Sequence, residues 1–306
     1  HRVCGIKLFM GSSTGNMLVD KMNSLLKIFN GTDMLIAAHC EDQETILANI
    51  EKYKAKYKGE QDIPVKEHPN IRSIAACYTS SELAVRLATI AGARLHILHV
   101  STAKELKLFS DAPLSEKLIT AEACIAHLIY GTSDYSKLGT RIKCNPAIKR
   151  PIEQRAIRAA VNSGVIDVIA TDHAPHLLSE KKGGALKAMS GMPMIQFSLV
   201  SMLELVDQGV FSLETIVQKM CHAPAQIFGI CRRGYIREGY QADLVLVRPN
   251  TPWEVTTKNI LSKCGWSPLE GHTFNWKVEK TFVNGHLLYD NGTIDENYRG
   301  QELRFR

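Results

Sequence analysis

Short runs of apolar residues alternate with amphipathic segments through the first half of the chain. The runs are continuously apolar, as expected of parallel strands that are buried on both faces. Between them, apolar residues recur at helical spacing, as at Ile46, Ile50, Tyr53 and Tyr57 behind the capping residue Asp42. This alternation predicts a parallel α/β fold. The predicted strands cover residues 5–11, 33–40, 93–101, 117–124 and 165–173.

Local signals predict further element boundaries. A helix is predicted to start at the capping-box pattern Thr79-Ser-Ser-Glu82. After a predicted helix at residues 213–228 the pattern changes, since 234–247 and 278–292 indicate short strands with glycine and Asn-Gly turns. We therefore predict two domains, an α/β domain over residues 1–230 and a small β domain over residues 231–306.

Composition narrows the classes of protein to which the chain can belong. Its 306 residues are 45% hydrophobic, which suffices for a sizeable core, and no apolar stretch approaches the ~18–20 residues of a membrane span. The N-terminus lacks a signal-peptide pattern, and eight cysteines without a CxxC pair indicate reduced thiols in the cytoplasm. The net charge of +6 is mild, and a solvated face is a simpler interpretation of it than a nucleic-acid groove. We expect a small-molecule substrate, no nucleic acid and no membrane.

Polar residues stand at or near the ends of four predicted strands. They are Lys7, His39, His99 and Asp172, the last of which opens the motif DHAPH that ends at His176. Because functional side chains of parallel barrels lie at the carboxyl ends of the strands, we expect these residues to converge. Imidazole and carboxylate groups are common zinc ligands, so the set predicts a metal site. For each residue alone, a hydrogen-bonded histidine, a paired lysine or a polar turn is the simpler interpretation.

The chemistry of these side chains differs. Lys7 lies within an apolar strand, where an unpartnered ammonium group is costly to bury. It either reaches the barrel rim or has a depressed pKa, and a neutral amine can add carbon dioxide to become a metal-bridging carbamate. Asp172 can bind a metal and exchange a proton with attacking water. His96 faces away from His99 across their strand and is predicted to be structural. The segment SSTG at 12–15 lacks the ending of a phosphate-binding loop, so we disfavour such a site there.

Several segments resemble dihydroorotases of the amidohydrolase superfamily, over nearly the whole chain. These enzymes interconvert N-carbamoyl-L-aspartate and L-dihydroorotate in pyrimidine biosynthesis. The resemblance implies a (β/α)8 TIM-type barrel that lacks its first three strands in this chain, and a C-terminal β domain that is part of a composite β-sandwich. The missing strands, with a His-x-His-x-Arg motif, would lie upstream of His1. The matching segments are GIKLFMGSSTGNM, AAHCED, HILHVSTAKE, ITAEA, KCNPAIK, ATDHAPHLLSEK and SGMP, followed by the C-terminal pieces GYIREGYQADLVLV, SKCGWSPLEG and TFVNGHLLY.

The resemblance also implies roles for individual residues. Lys7 matches a carboxylated lysine that bridges two zinc ions. His39 and His99 match ligands of one zinc ion, and Asp172 matches the aspartate that binds metal and transfers the proton. Some branches of the family have Asp in place of Lys7, which leaves carboxylation open, and a homodimer is the expected oligomer. The positions that match substrate contacts are Asn145, His176, Ser190 and Gly191.

Two other kinds of function stay open on the sequence. Dihydropyrimidinases, hydantoinases and allantoinases share the lysine and histidine strand ends, but His176 favours an acidic substrate. A non-catalytic amidohydrolase-like scaffold is the second alternative. Since such scaffolds usually lose metal ligands, the retained strand-end residues favour an enzyme.

Overall fold

The computed structural model describes residues 3–11 and 17–306. These residues form two compact units, one made of Gly5–Gln196 with Ile260–Pro268, and the other of Phe197–Asn259 and Leu269–Arg306 together with Val3 and Cys4. The disfavoured phosphate-binding loop at 12–15 lies outside the described residues. The domain division at residue 230 stays a prediction, because the compact units follow contacts rather than chain order.

Five parallel strands form the main sheet of the first unit, and they follow one another in sequence order. The predicted parallel α/β fold is therefore confirmed. Ile36 pairs with Leu95, and Leu95 pairs with Ile119, in a register that aligns the carboxyl ends of neighbouring strands. Ile36 and Leu95 are completely buried. The strands are β1 (Ile6–Phe9), β2 (Ile36–His39), β3 (Leu95–Ile97), β4 (Ile119–Cys124) and β5 (Val168–Ala170).

Helices connect the strands of this sheet. The helix after β2 begins behind Asp42, whose carboxylate accepts a backbone hydrogen bond at 2.8 Å. Ile46 is buried in an apolar cluster, and Ile50, Tyr53 and Tyr57 pack against that cluster, as their spacing predicts. In the described part of the chain, no helix is long and apolar enough to cross a membrane. The helices are α1 (Met22–Asn30), α2 (Gln43–Lys56), α3 (His68–Ile71), α4 (Ile74–Ala91), α5 (Ile125–Ile129), α6 (Tyr135–Leu138) and α7 (Pro151–Ser163).

Helix α4 starts earlier than the sequence predicts. It begins at Ile74, after Ser73, whose hydroxyl accepts a backbone hydrogen bond at 3.3 Å. The predicted start at Thr79 is wrong because the polar residues there lie inside the helix. The Ser81 hydroxyl is buried and donates to Glu105 at 2.7 Å. Thr79 and Glu82, which would form the capping box, are both exposed on the helix surface instead.

The second unit combines helices with antiparallel strands. Its strands are β6 (Leu244–Arg248), β7 (Trp253–Glu254), β8 (Thr273–Phe274), β9 (Lys277–Val283), β10 (His286–Asp290) and β11 (Thr293–Ile294). The order β11-β10-β9-β6 makes one sheet, and β7 pairs with β8. Asn284 and Gly285 join β9 to β10 with φ angles of 53° and 83°, as expected of an Asn-Gly hairpin turn. The helices are α8 (Ser198–Asp207), α9 (Leu213–Val217) and α10 (Ala223–Ile227).

Candidate functional site

The side chains of His39 and His99 meet at the carboxyl ends of β2 and β3. His39 Nδ1 lies 2.9 Å from His99 Nε2, and the two rings stand nearly perpendicular at 78°. Both side chains are buried. The backbone of His99 has a φ of 40°, which is uncommon for a residue other than glycine. Such backbone strain is found preferentially where function requires one side-chain direction.

The two imidazoles fit a shared metal ion. Two nitrogen ligands of one tetrahedral zinc ion, at about 2.0–2.1 Å from it, lie about 3.3 Å apart. The observed separation of 2.9 Å between His39 Nδ1 and His99 Nε2 is close to that value. Burial, with the nearby His39 and Lys7, lowers the pKa of His99 well below its usual range. His99 therefore offers the neutral imidazole that metal binding requires.

Glu41 and Arg72 support His39 from behind. Glu41 Oε2 lies 3.2 Å from His39 Nε2, within ion-pair distance although the alignment is too poor for a hydrogen bond. Arg72 donates to the same carboxylate oxygen. Burial alone would raise the pKa of Glu41, but Arg72 and then His39 reverse that effect and lower it to about 2. A carboxylate at this place can fix the orientation of a metal-binding histidine.

Lys7 and Asp172 belong to the same electrostatic neighbourhood. Burial of the ammonium lowers the pKa of Lys7, while Asp172 and Glu122 oppose that shift. Burial raises the pKa of Asp172, Lys7 lowers it, and Glu122 raises it further. More than a third of each side chain, Lys7 and Asp172, nevertheless stays exposed. Asp172 has a φ of 44°, so it shares the unusual backbone of His99.

The structure brings the four strand-end residues near each other without completing a metal cage. Within residues 3–11 and 17–306, no group of three or more His, Cys, Asp or Glu side chains is arranged to hold one metal ion. His39 and His99 supply two converging nitrogens, whereas Lys7 would become a metal ligand only after carboxylation of its amine. The ligand set Lys7, His39, His99 and Asp172 therefore stays a prediction.

Glu122 lies within this neighbourhood and was missed in the sequence. Its Oε1 accepts a hydrogen bond from His99 N at 3.2 Å, and its Oε2 lies 3.2 Å from His96 Nε2. His96 is also bonded to Thr120 at 2.8 Å, so its ring is held by strand neighbours. The signal that could have found it is an acidic residue inside an apolar strand. No role was predicted for Glu41, which lies just beyond the end of β2.

Hydrogen bonds join the three segments that carry the four predicted substrate-binding residues, since Gly191 N donates to Lys143 O, two residues before Asn145, at 2.8 Å. His176 Nε2 donates to Ser190 O at 3.0 Å. The Asn145 side chain is held by His68 Nε2 at 3.1 Å. Gly191 has a φ of 136°, and a Cβ at this position would lie 2.5 Å from the Ala174 Cβ and 3.0 Å from the His176 ring. Only glycine fits at this turn of the chain.

Comparison with known proteins identifies the family of the chain. The sequence model of the amidohydrolase family matches residues 17–288. The chain belongs to the amidohydrolase family. Among its amidohydrolase relatives, the dihydroorotase of Halobacterium salinarum is 31% identical over 97% of this chain and 67% of its own length. The dihydroorotase of Pyrococcus furiosus is 31% identical over 97% of this chain and 64% of its own length. The predicted resemblance to dihydroorotases is thus confirmed.

Proteins with other activities are also similar. The allantoinase of Bacillus velezensis is 29% identical over 78% of this chain and 53% of its own length. The L-hydantoinase of Arthrobacter aurescens is 26% identical, with a TM-score of 0.88 over 95% of this chain and 66% of that one. The D-hydantoinase of Thermus sp. shares the fold, with a TM-score of 0.85 and 20% identity over 97% of this chain and 66% of that one. The chain spans between about half and two thirds of the length of these proteins.

Proposed function

We propose that the protein is a dihydroorotase, a zinc-dependent enzyme that interconverts N-carbamoyl-L-aspartate and L-dihydroorotate in the cytoplasm. The observation that carries the proposal is the convergence of His39 Nδ1 and His99 Nε2 at 2.9 Å, beside Lys7 and Asp172. Several of the similar curated proteins are dihydroorotases, which supports this substrate over other cyclic amides.

The proposal includes a fold larger than the described sheet. We infer that β1–β5 are the fourth to eighth strands of a (β/α)8 barrel, and that residues 231–306 contribute to a composite β-sandwich. The coverage of only 64–67% of the dihydroorotase relatives at 31% identity supports this inference. Further metal and substrate ligands would then lie in the upstream part, and a homodimer is the proposed assembly.

The strand-end residues would hold the metal. His39 and His99 would bind one zinc ion as neutral imidazoles. The lowered pKa of Lys7 increases its share of neutral amine, the form that adds carbon dioxide and releases a proton to become a carbamate. Bound zinc would lower the pKa of water and polarise the ring carbonyl. Asp172, whose pKa is raised, would accept a proton from the attacking water and return it to the leaving ring nitrogen.

An anionic substrate suits the surroundings of the predicted binding loop. A cavity of about 210 Å³ is lined by Arg72, Lys143, Asn145 and Ser190, among others. Lys143 is buried, and burial lowers its pKa to about 8, so it remains largely charged at neutral pH. Arg72 is already paired with Glu41, so Lys143 supplies the net positive charge that attracts a carboxylate to this lining. We propose that His176 and Asn145 hold the carboxylate of the substrate and that the Ser190–Gly191 backbone holds its ring.

A substrate panel on the zinc-loaded, full-length protein tests the proposal. We expect L-dihydroorotate to be hydrolysed with a higher kcat/KM than hydantoin, dihydrouracil or allantoin. A preference for hydantoin would favour the L-hydantoinase relationship, whose structure matches at 26% identity. Full zinc occupancy with no turnover of any cyclic amide would instead identify a non-catalytic scaffold.

A further inference from the structure

Lys181 is a buried ammonium that bonds only to backbone. Its side chain is almost fully buried, and Nζ donates to the carbonyl oxygens of Lys143 at 3.1 Å, Met189 at 2.7 Å and Gly191 at 2.6 Å. Among the described residues it has no carboxylate partner. An ammonium has three N–H donors, so the three carbonyls use all of them.

This arrangement is costly unless it has a specific role. Removing an ammonium from water is unfavourable, and burial lowers the pKa of Lys181 to about 8. An apolar side chain such as methionine would fill the same volume without that cost. Three charge-assisted hydrogen bonds offset the cost, and they fix three carbonyl groups in space. The fixed carbonyls are therefore the feature that explains a lysine at this position.

The carbonyls belong to the two segments that carry the predicted substrate contacts. Met189 and Gly191 flank Ser190, and Lys143 precedes the segment that ends at Asn145. Gly191 N also donates to Lys143 O at 2.8 Å, which ties the two segments together directly. Lys181 lies at the junction of these contacts.

Orientation of one carbonyl also sets the direction of a donor. The peptide bond is planar and trans, so the Ser190 N–H points away from the side on which the Met189 carbonyl meets Lys181. Within the described residues, the Ser190 N–H has no hydrogen-bond partner. It is a donor available to a carbonyl oxygen of a bound cyclic amide.

We propose that Lys181 is a positioning residue, which holds the Ser190–Gly191 loop against the Asn145 segment so that the loop backbone can bind the ring of a cyclic-amide substrate. The identity of that substrate rests on the proposed function, whereas the anchoring of the loop does not. Lys181 itself does not touch the substrate, because its donors are occupied by backbone carbonyls.

Kinetics of the zinc-loaded, full-length protein test this role. Lys181→Met removes the donors and should raise KM for L-dihydroorotate about tenfold, with little change in kcat and an unchanged zinc content. Lys181→Arg keeps the charge and donors in a different geometry and should fall between the wild type and Lys181→Met. A wild-type KM in Lys181→Met would overturn the proposal.

A matched control separates positioning from general stability. Lys117 is another buried lysine, which donates to Gly164 O and Asp167 Oδ1, each at 2.8 Å, at the opposite end of the sheet. The double variant Lys117→Met with Asp167→Asn removes that pair without leaving a charge unpartnered. It should keep the wild-type KM. An equal rise of KM in this control would show that loss of stability, and not loop anchoring, is the cause.

Hydrogen exchange gives a readout that needs no substrate. The Gly191 amide is protected by Lys143 O, so a peptide covering 186–194 should exchange faster in Lys181→Met and not in the control. If Lys181→Met does not fold, Lys181→Arg carries the test, and wild-type exchange with a wild-type KM would overturn the proposal. If the wild type fails to convert dihydroorotate, the proposed function fails, while exchange still decides the role of Lys181.

Discussion

The two aspartates that flank strand β5 have opposite surroundings. Asp167, before the strand, is buried and fully bonded, with Lys117 Nζ at 2.8 Å on one oxygen and Ala121 N at 2.9 Å on the other. Asp172, after the strand, has a φ of 44°, and its carboxylate makes no hydrogen bond with any residue that the structure describes. Burial raises the pKa of Asp172. One strand thus joins a buried ion pair to an exposed acid that has no protein hydrogen-bond partner among the described residues.

The difference extends across the sheet. At the amino ends of the strands, the charges of Lys117 and Asp167 neutralise each other within a complete set of hydrogen bonds. At the carboxyl ends, His99 shares the positive φ of Asp172, and His99 Nδ1 is buried without a hydrogen-bond partner. Polar groups that are satisfied stabilise a fold, while strained and unsatisfied groups persist where a ligand completes them. The carboxyl end is therefore the end at which substitution should change chemistry.

The same substitution at both ends of β5 gives the largest expected contrast. Asp172→Asn should lower kcat for dihydroorotate about 10²–10⁴-fold, because an amide cannot accept and return the proton. Asp167→Asn should lower the free energy of unfolding by about 3–5 kcal/mol, since it breaks a buried pair, and leave kcat of the folded enzyme unchanged. Steady-state kinetics, urea unfolding and zinc analysis check both variants. Near-normal turnover of Asp172→Asn would mean that the two ends of β5 do not differ in their importance for catalysis.

A buried histidine near the carboxyl end sharpens the comparison through pH. Burial lowers the pKa of His127 to about 4 from a usual 6.5, and its Nε2 bonds Pro146 O at 3.0 Å. As pH falls from 6.5 to 4, the unfolded chain takes up a proton that the folded protein does not. The stability that this histidine contributes is therefore complete above about pH 6.5 and is lost as pH falls, by up to about 3 kcal/mol at pH 4.

Urea unfolding of the zinc-free protein at about pH 7, 6 and 5 measures this loss. His127→Gln keeps a donor for Pro146 O but cannot titrate, so its stability should fall less steeply with decreasing pH than that of the wild type. Parallel losses in the two proteins would mean that other groups govern the acid sensitivity.

The sequence predicts features that depend on the residues of a single helix or strand, and it misses contacts that form between elements. Apolar runs and helical spacing predict β1–β5 and the buried face of α2, and strand ends point to His39 and His99, which meet although they are 60 positions apart. The anchoring role of Lys181 was not predicted, because each of its three hydrogen-bond partners is a backbone carbonyl in a loop segment other than its own. The wrong start of α4 at Thr79 has a different origin, because the residue that caps the helix, Ser73, is a local signal that the pattern at Thr79 outweighed.

The smallest expected effect concerns a residue that orients a predicted metal ligand and takes no direct part in the reaction. Glu41 lies between Arg72 and His39, and we expect Glu41→Gln to weaken zinc binding about 10–100-fold, because the imidazole loses the carboxylate that orients it. Competition with a chromogenic chelator in the full-length protein measures that affinity. Glu105→Gln is the matched control, since Glu105 is similarly buried but bonds Ser81, Thr102 and the Ser101 backbone rather than a histidine side chain. Equal losses of zinc affinity in both variants would mean that the buried glutamates act only through stability. The distinction between hydrogen-bonded groups that stabilise the fold and groups that a bound ligand completes would then be wrong for Glu41.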